Sequence, residues 1–205
     1  MMLGILDYGM GNLRSVQKAI QRVGSDARIV STPAEIKTLD KLILPGVGAF
    51  TDGMANIRQM DLDEAIRDFV AVGKPYLGIC MGLQFLFDRS QEDAPNQGLS
   101  ILPGRVVRFC EQRSNQRIKV PHMGWNTITW QQDDPLLVGL PQESFVYFVH
   151  SFYALPDDET VISARCDYAG AFCATVWKNN VWATQFHPEK SQQVGLHILK
   201  NFTLL

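Results

Sequence analysis

The sequence has few cysteines and histidines, and neither is spaced as a metal site requires. Cys80, Cys110, Cys166 and Cys173 include no C-x-x-C pair, and the histidines do not cluster with them. This spacing argues against a zinc site. Since Cys110, Cys166 and Cys173 lie in apolar, strand-like stretches, we expect them to pack as small hydrophobic residues.

Excess charge, long apolar runs and a basic leader are also missing. A formal net charge of -2 gives no attraction to nucleic acid or to an anionic membrane. The chain has no run of about eighteen apolar residues and enters a strand-like stretch at residues 2–6. We therefore expect a cytoplasmic protein that binds no nucleic acid, no membrane, no metal and no cofactor.

The chain does contain enough apolar residues for one sizeable core. Of its 205 residues, 46% are hydrophobic and 20% are charged, which predicts a single domain over residues 1–205. In the first half, apolar strands alternate with amphipathic helices. One helix is predicted from a cap at Asn12 to Gly24, and another begins at a capping box formed by Thr32 and Glu35. Such alternation predicts a mostly parallel central sheet flanked by helices.

The second half is dominated by strand patterns. Residues 105–109, 126–130, 145–152, 160–164 and 172–186 are rich in β-branched and aromatic side chains. Asn179 and Asn180 separate two apolar stretches and predict a tight hairpin. A final helix is predicted over residues 192–204. We therefore predict an α/β fold whose mostly parallel sheet carries an antiparallel β extension in the second half.

Residues 78–82, GICMG, form the most informative pattern. They follow the apolar residues 75–77 and precede a helical pattern at 83–87. A strand, a sharp turn and a helix form a nucleophile elbow, with Cys80 at the turn between two glycines that leave room for the backbone. A helix N-terminus at this point would favour a thiolate. The alternative is a small buried core cysteine between two glycines that pack a helix.

A second pattern, QFHPEKS at residues 185–191, supplies partners for such a cysteine. We predict a strand that Pro188 ends, with His187 and Glu189 on the same side of an extended backbone. A carboxylate in that position orients the imidazole and stabilises its cation. Alone, His187 is more typical of an ordinary core or surface histidine. Together with the elbow cysteine, it predicts nucleophilic catalysis.

A glycine-rich turn, PGVG at residues 45–48, follows the apolar stretch 42–44. An elbow enzyme needs a second oxyanion donor from a neighbouring strand–helix loop, and glycines let a backbone N–H approach the substrate closely. The N–H groups near Gly48 and Met81 are therefore the candidate oxyanion donors. Alone, this stretch is equally typical of an ordinary turn after a strand.

Together these motifs resemble those of the class I, or triad, glutamine amidotransferases. DYGMGN at residues 7–12, HMGWN at 122–126 and FVHSFY at 148–153 are similar to one group within that family, and the resemblance spans nearly the whole chain. It implies a flavodoxin-like α/β fold and glutamine as the substrate. It also implies that Cys80, His187 and Glu189 form the catalytic triad.

The resemblance further implies how glutamine would be bound. Its α-amino and carboxylate groups are expected to contact the side chains of Gln84 and Glu92. They are also expected to contact the backbone of Ser151, Phe152 and Tyr153. The alternative for Gln84 and Glu92 is a solvated helix and loop face.

In that group of the family, the glutaminase is paired with a (β/α)₈-barrel cyclase in histidine biosynthesis. The resemblance therefore implies a heterodimer that passes ammonia across a shielded interface. Asn12, Trp125 and Tyr147 are the candidate interface residues. Their alternative is ordinary helix capping and aromatic core packing.

Three other interpretations remain open at this point. An α/β-hydrolase-like esterase would place its acid before the histidine, whereas Glu189 follows His187. A non-enzymatic flavodoxin-like redox or binding protein would need Cys80 but neither His187 with Glu189 nor the glycine-rich turn. Within the amidotransferases, a glutaminase subunit of aminodeoxychorismate or anthranilate synthase is an alternative that the motifs at 7–12 and 122–126 disfavour.

Overall fold

The computed structural model describes residues 1–92, 96–113 and 116–205. The first half contains β1 (Leu3–Leu6), α1 (Leu13–Arg22), β2 (Ala27–Val30), α2 (Pro33–Lys37), β3 (Lys41–Gly46), α3 (Phe50–Gln59), α4 (Leu62–Ala71), β4 (Tyr76–Cys80) and α5 (Met81–Gln84). The second half contains β5 (Arg89–Ser90), β6 (Asn96–Gln97), β7 (Gly104–Arg108), β8 (Gln112–Arg113), β9 (Gln116–Arg117), β10 (His122–Trp130), β11 (Ser144–His150), β12 (Phe152–Pro156), β13 (Ile162–Asp167), β14 (Ala171–Lys178), β15 (Val181–Thr184) and α6 (Gln192–Leu204). Within these three ranges, every helix is too short or too polar to cross a membrane.

Nine strands of the described residues form one sheet in the order β11-β10-β13-β14-β15-β4-β3-β1-β2. The strands from β2 to β15 pair in parallel. Those from β15 to β11 pair antiparallel. A smaller sheet follows the order β12-β7-β5-β6, and β8 pairs with β9. The predicted fold class, a mostly parallel sheet with an antiparallel extension, is confirmed.

The central strands are buried on both faces, as a parallel sheet requires. Leu42 and Leu44 of β3 pack in one apolar cluster with side chains of α2, α3 and α4. Ile43, which points to the opposite face, packs in a second cluster with side chains of α1 and α6. The period of two along the strand thus divides the core between two helical layers.

Of the two helix starts predicted from the sequence, one forms its capping hydrogen bonds and the other does not. In the predicted capping box, Thr32 Oγ1 accepts a hydrogen bond from the Glu35 N–H at 3.3 Å, and the Glu35 carboxylate accepts one from the Thr32 N–H at 3.1 Å. Asn12 precedes α1 as expected, but its side chain makes no capping hydrogen bond. Its backbone (φ -91°, ψ 60°) departs from the extended conformation that a capping side chain needs.

The hairpin at Asn179 and Asn180 is confirmed, since it joins β14 to β15. The strand predicted over residues 145–152 is wrong in one respect, because it is two strands separated at Ser151. After this point β12 leaves the large sheet and pairs with β7. The apolar pattern continues through Ser151, so only the tertiary pairing decides where the chain changes sheets.

The helix predicted over residues 83–87 is also wrong, because α5 is a single turn that ends at Gln84. Beyond it, the Phe85 carbonyl accepts from the Leu99 N–H at 2.7 Å, and the Leu86 carbonyl accepts from the Ile101 N–H at 2.8 Å. These partners replace the helical ones. A single turn aligns few peptide dipoles, so the expected helix-dipole stabilisation of a thiolate at Cys80 loses most of its basis.

Candidate active site

Cys80 lies at the carboxyl end of β4 in a strained turn. Its backbone has φ 56° and ψ -103°, which is unfavourable for a residue with a side chain. The neighbouring glycines leave no room for a Cβ. One on Gly82 would overlap the carbonyl oxygen of Leu44, and one on Gly78 would overlap that of Gly82. The turn therefore has the geometry of a nucleophile elbow.

His187 and Glu189 meet beside this elbow. His187 follows β15, the parallel neighbour of β4, and its Nδ1 lies 2.8 Å from Glu189 Oε1. The two side chains are only 2% and 1% exposed. The predicted proximity is right, but the reason given from the sequence is wrong. The strand ends at Thr184, and a 3₁₀ turn over Pro188–Lys190, not an extended backbone, brings the two groups together.

The neighbouring charges set the protonation of His187. Burial of the imidazole lowers its pKa, but interactions with Cys80 and with Glu189, each by charge and by a hydrogen bond, outweigh burial and raise the pKa to about 10. Glu189 Oε1 is the hydrogen-bond partner of Nδ1, which leaves Nε2 as the nitrogen that faces Cys80. Nε2 is therefore the nitrogen available to exchange a proton with Cys80 or with a bound substrate.

The backbone of His187 is fastened to β11. Its N–H donates to the Tyr147 carbonyl at 3.0 Å. Ser191 Oγ accepts from the Tyr147 N–H at 3.0 Å and donates to the His187 carbonyl at 2.7 Å. Sequence reasoning gave Ser191 no role. A signal was present, since a serine hydroxyl four residues after the histidine can bond its carbonyl across a turn.

A buried pair of glutamines lies beneath the nucleophile. Gln185 Nε2 lies 3.7 Å from Cys80 Sγ, and Gln185 Oε1 accepts from Gln84 Nε2 at 3.1 Å. Gln84 Nε2 also donates to the Phe152 carbonyl at 3.1 Å. Gln84 is 2% exposed, so the alternative of a solvated helix face is wrong for it. Gln185 was missed, although a glutamine at the end of an apolar strand and two residues before His187 was a visible signal.

A groove of about 300 Å³ opens above Cys80. Its volume is at the lower end of the range for small-molecule sites. Tyr153 is not among its lining residues, because its backbone pairs with Val107 and its ring packs on Phe109 at 4.6 Å. The groove is lined by Val47, Gly48, Cys80, Met81, Gln84, Glu92, Pro121, Val149, His150, Ser151, Phe152 and His187.

The glycine-rich turn reaches the groove because β3 and β4 are neighbours. Gly46 lies opposite Cys80 in their parallel register. Gly48 has φ +97°, a conformation that favours glycine. Glu92 lies on the other side of this turn, and its Oε2 accepts from the Phe50 N–H at the start of α3 at 2.9 Å. Glu92 thus ties its loop to the first turn of that helix.

The candidate interface residues fall in two places. Trp125 and Tyr147 are cross-strand neighbours with ring centroids 6.0 Å apart, and Trp125 is 46% exposed. Core packing is therefore not the explanation for Trp125. Asn12 lies at the start of α1, next to Gly11, where a Cβ would contact the Pro45 carbonyl oxygen at 3.4 Å. This places Asn12 near the glycine-rich turn.

The remaining cysteines differ from one another. Cys166 and Cys173 are buried, and burial raises the pKa of each thiol to about 12, so both are inert. The expectation for Cys110 is wrong, because its side chain is exposed. It lies beyond the end of β7 at Arg108, where the chain leaves the sheet.

Comparison with known proteins agrees with this geometry. The family model described as glutamine amidotransferase class-I matches residues 4–205. The chain belongs to this family. A relative from Syntrophotalea carbinolica, named imidazole glycerol phosphate synthase subunit HisH, is 55% identical over 203 residues, which are 98% of each chain. A relative of the same name from Geobacter sulfurreducens is 50% identical over 98% of this chain and 97% of its own.

Solved structures support the fold of this amidotransferase. One described as a glutamine amidotransferase has a TM-score of 0.76 at 24% identity and covers 99% of this chain and 100% of its own. The structure of PurLQS from Thermotoga maritima has a TM-score of 0.74 at 19% identity, and the match covers 99% of this chain and 95% of its own. The resemblance inferred from the motifs is thus confirmed. The HisH-named relatives exclude the esterase and redox-protein interpretations and disfavour the other synthase subunits.

Proposed function

We propose that this chain hydrolyses glutamine to glutamate and ammonia as the glutaminase subunit of an imidazole glycerol phosphate synthase. The observation that carries the proposal is the buried His187–Glu189 pair beside the strained elbow of Cys80. The groove above it accommodates a small amino acid. The names of the relatives support glutamine as the amide and this synthase as the assembly.

The first step forms a thioester. The Cys80 thiolate attacks the carboxamide carbon, so a C–S bond forms and the amide oxygen takes up negative charge. Backbone N–H groups near Gly48 and Met81, on the two turns that line the groove, stabilise this oxyanion. His187 donates a proton from Nε2 to the leaving nitrogen, and ammonia departs as the C–N bond breaks.

The second step regenerates the enzyme. Neutral His187 accepts a proton from water at Nε2 while the water oxygen attacks the thioester carbon. The C–S bond then breaks, glutamate leaves, and the Cys80 thiolate faces a protonated imidazole again. Glu189 stays ionised at Nδ1 throughout, where it orients the ring and stabilises its cation.

The α-carbon end of glutamine is recognised at the opposite wall of the groove. Glu92 offers a negative charge for the α-ammonium group, and it lines the groove together with Ser151 and Phe152. The backbone at these two residues holds the α-carboxylate. Gln84 contributes by fixing the Phe152 carbonyl from the other side.

An exposed apolar surface beside the groove receives the partner. We call it the docking face and define it as Met123, Trp125, Phe145 and Tyr147. Met123 is 61% exposed and Phe145 is 59% exposed. Met123 pairs in register with Val149, which lines the groove, so the face continues to the site. Apolar patches of this kind mark interaction surfaces.

The partner is a (β/α)₈-barrel cyclase that makes imidazole glycerol phosphate and AICAR in histidine biosynthesis, in the cytoplasm. Ammonia released into water would be protonated and lost as a nucleophile. Its transfer across the interface of a heterodimer avoids this loss. Asn12, near the glycine-rich turn, completes the contact.

The proposal is tested by glutamate release from glutamine in the complex with the cyclase. Cys80→Ala should abolish it by at least about 10³-fold, because nucleophile and base act as a unit. Synthesis from added ammonia should persist in the same variant. Cys110→Ala, which changes an exposed cysteine that is not among the lining residues of the groove, serves as the matched control and should be fully active. Residual activity of Cys80→Ala within about tenfold of wild type would remove Cys80 from the mechanism.

A further inference from the structure

Two buried histidines form a hydrogen-bonded chain that the proposed chemistry does not use. His122 and His150 are 3% and 6% exposed and lie opposite each other in β10 and β11. His122 Nδ1 lies 3.0 Å from His150 Nε2. His150 Nδ1 lies 2.8 Å from the Phe152 carbonyl, and His122 Nε2 lies 3.3 Å from Asn126 Nδ2. HMGWN and FVHSFY, two motifs of the sequence, thus meet in one chain.

The end groups of the chain define every proton in it. The Phe152 carbonyl can only accept, so His150 Nδ1 carries the hydrogen and its Nε2 is an acceptor. His122 must then donate from Nδ1 and accept at Nε2. The Asn126 amide supplies that hydrogen and uses its second one for the Asp167 carbonyl at 3.0 Å. One tautomer of each ring satisfies the whole chain.

The surroundings keep both rings uncharged. Burial lowers the pKa of His122 to about 4. The pKa of His150 is lowered to about 3, mainly by burial and also by the charges of His122 and His187, although the hydrogen bond to Phe152 raises it. Aromatic rings enclose the pair, since Tyr168 stacks on His122 with a centroid distance of 3.9 Å and Phe148 stacks on it at 4.7 Å. At neutral pH the two hydrogen-bonded histidines therefore present a fixed set of donors and acceptors.

The hydrogen bonds of the two histidines end at the wall of the groove. Ser151 separates β11 from β12, at the point where the backbone passes from the large sheet to the small one. The Phe152 carbonyl beside it accepts from two buried side chains, His150 and Gln84. The hydrogen bonds from His150 and from Gln84 therefore converge on the segment that faces the proposed substrate.

We propose that His150, held in one tautomer by His122, is a positioning residue that fixes the Ser151–Phe152 segment for recognition of the α-carbon end of glutamine. This inference rests on the proposed function for the identity of the ligand. His150 acts through the Phe152 carbonyl and transfers no proton. His122 acts through His150.

The hydrogen bonds are tested without any ligand. Long-range ¹H–¹⁵N spectra of the full chain at neutral pH distinguish the two neutral tautomers from each other and from the cation. Both His122 and His150 should show a protonated Nδ1 and an unprotonated Nε2. A protonated Nε2 on either ring, or rapid tautomer exchange, would overturn the inference whatever the substrate proves to be.

The positioning role is tested by binding of L-glutamine to the full chain in a Cys80→Ala background, measured by calorimetry. His150→Asn keeps a donor at the position of Nδ1, whereas His150→Gln keeps only a group at the position of Nε2. We expect the dissociation constant to change less than about threefold in the first variant and to rise about tenfold or more in the second, a difference of about 1.4 kcal/mol.

A purely structural role predicts a different pattern. It would weaken binding equally in both variants, in step with their thermal stabilities, and that result would overturn the inference, as would tight binding by His150→Gln. His122→Asn, which keeps the Nδ1 donor, should bind as the parent does, and His122→Phe should resemble His150→Gln. If the Cys80→Ala parent fails to bind glutamine, the proposed function fails. The tautomer spectra still decide whether His122 and His150 form the hydrogen bonds described above.

Discussion

At the scale of single residues, the charge of His187 is set by its neighbours. Its pKa is raised to about 10 against burial by Cys80 and Glu189. Cys80→Ala removes one of these charges and leaves the burial, so the pKa of His187 should fall. Titration of the imidazole resonances in both proteins measures this. An unchanged or higher pKa in the variant would show that Cys80 carries no charge beside the ring.

The same shift has a consequence for stability. The pKa of His187 in the folded state lies above its value of about 6.5 in the unfolded chain. Its stabilising contribution is therefore fully present below about pH 6.5 and is lost as the pH rises through about 10.

The two partners of Cys80 should not be equally important. His187→Asn removes the group that transfers the proton, so it should lower glutamine hydrolysis almost as far as Cys80→Ala does. Glu189→Gln keeps a group that can orient the ring but loses the charge that stabilises its cation, so the loss should be smaller. Steady-state glutamate release by the complex measures both. A more severe effect of Glu189→Gln would mean that the roles are assigned wrongly.

Two buried tyrosines of the same core offer a matched test of an unpaired hydroxyl. Tyr8 is fully buried, and its hydroxyl has no hydrogen-bond partner within the described ranges, whereas the Tyr76 hydroxyl donates to the Gly82 carbonyl at 3.1 Å. Tyr8→Phe should leave the free energy of unfolding unchanged or raise it by up to about 1 kcal/mol. Tyr76→Phe should lower it by about 1 kcal/mol. Urea denaturation measures both, and a large loss in Tyr8→Phe would reveal a partner for its hydroxyl.

At the scale of elements, a buried lysine holds the end of the last helix. Lys41, the first residue of β3, is 2% exposed, and its Nζ donates to the carbonyls of Phe202 at 3.0 Å and Thr203 at 2.8 Å. Carbonyls in the last turn of a helix lack helical partners, so a cation there is stabilising. Lys41→Met should destabilise the fold by about 1–3 kcal/mol.

The control for this prediction is Lys200→Met on α6 itself. Lys200 is exposed, so the variant changes the same charge without touching the helix end and should unfold within about 0.5 kcal/mol of wild type. Chemical denaturation of both variants measures the two free energies of unfolding. Equal stabilities of the two variants would show that the Lys41 contacts contribute nothing.

Some elements form as the local sequence pattern predicts, and others do not. The capping box at Thr32 and the hairpin at Asn179 depend on neighbours within a few residues, and both are present as predicted. The end of α5 depends on bonds from Phe85 and Leu86 to residues 99–101, and the break at Ser151 depends on pairing with β7. These long-range partners leave no trace in the local pattern.

At the scale of the whole molecule, activity should depend on the partner. The glycine-rich turn at residues 45–48 has the backbone freedom to direct an N–H toward or away from the oxyanion. Loss of one oxyanion donor costs roughly 10²–10³ in rate, so a flip of this turn is a sufficient switch. We expect low glutaminase activity from the free subunit and a large rise when the cyclase binds its ribonucleotide.

Glutamate release by the free subunit and by the ligand-saturated complex measures this dependence. Trp125→Ala on the docking face should reduce the rise and leave the activity of the free subunit unchanged. Equal rates in the free and bound states would exclude the switch, although the chemistry at Cys80 would survive.

The sequence by itself determined the parts of this protein that depend on short-range chemistry. The alternation of strands and helices specified the sheet, and glycines on both sides of Cys80 specified a turn in which no other residue fits. The pair His187 and Glu189 was visible because the two residues are separated by one position. For these features, the physical cause lies within a few residues of its effect.

Only the tertiary structure decided the groups that support this site. Gln185 reaches Cys80, Ser191 fastens His187 to Tyr147, and His122 meets His150. In each case, residues from different strands or turns meet because the strand order of the sheet brings them together. Sequence separation hides such contacts, since burial of the core, not local preference, sets which strands become neighbours.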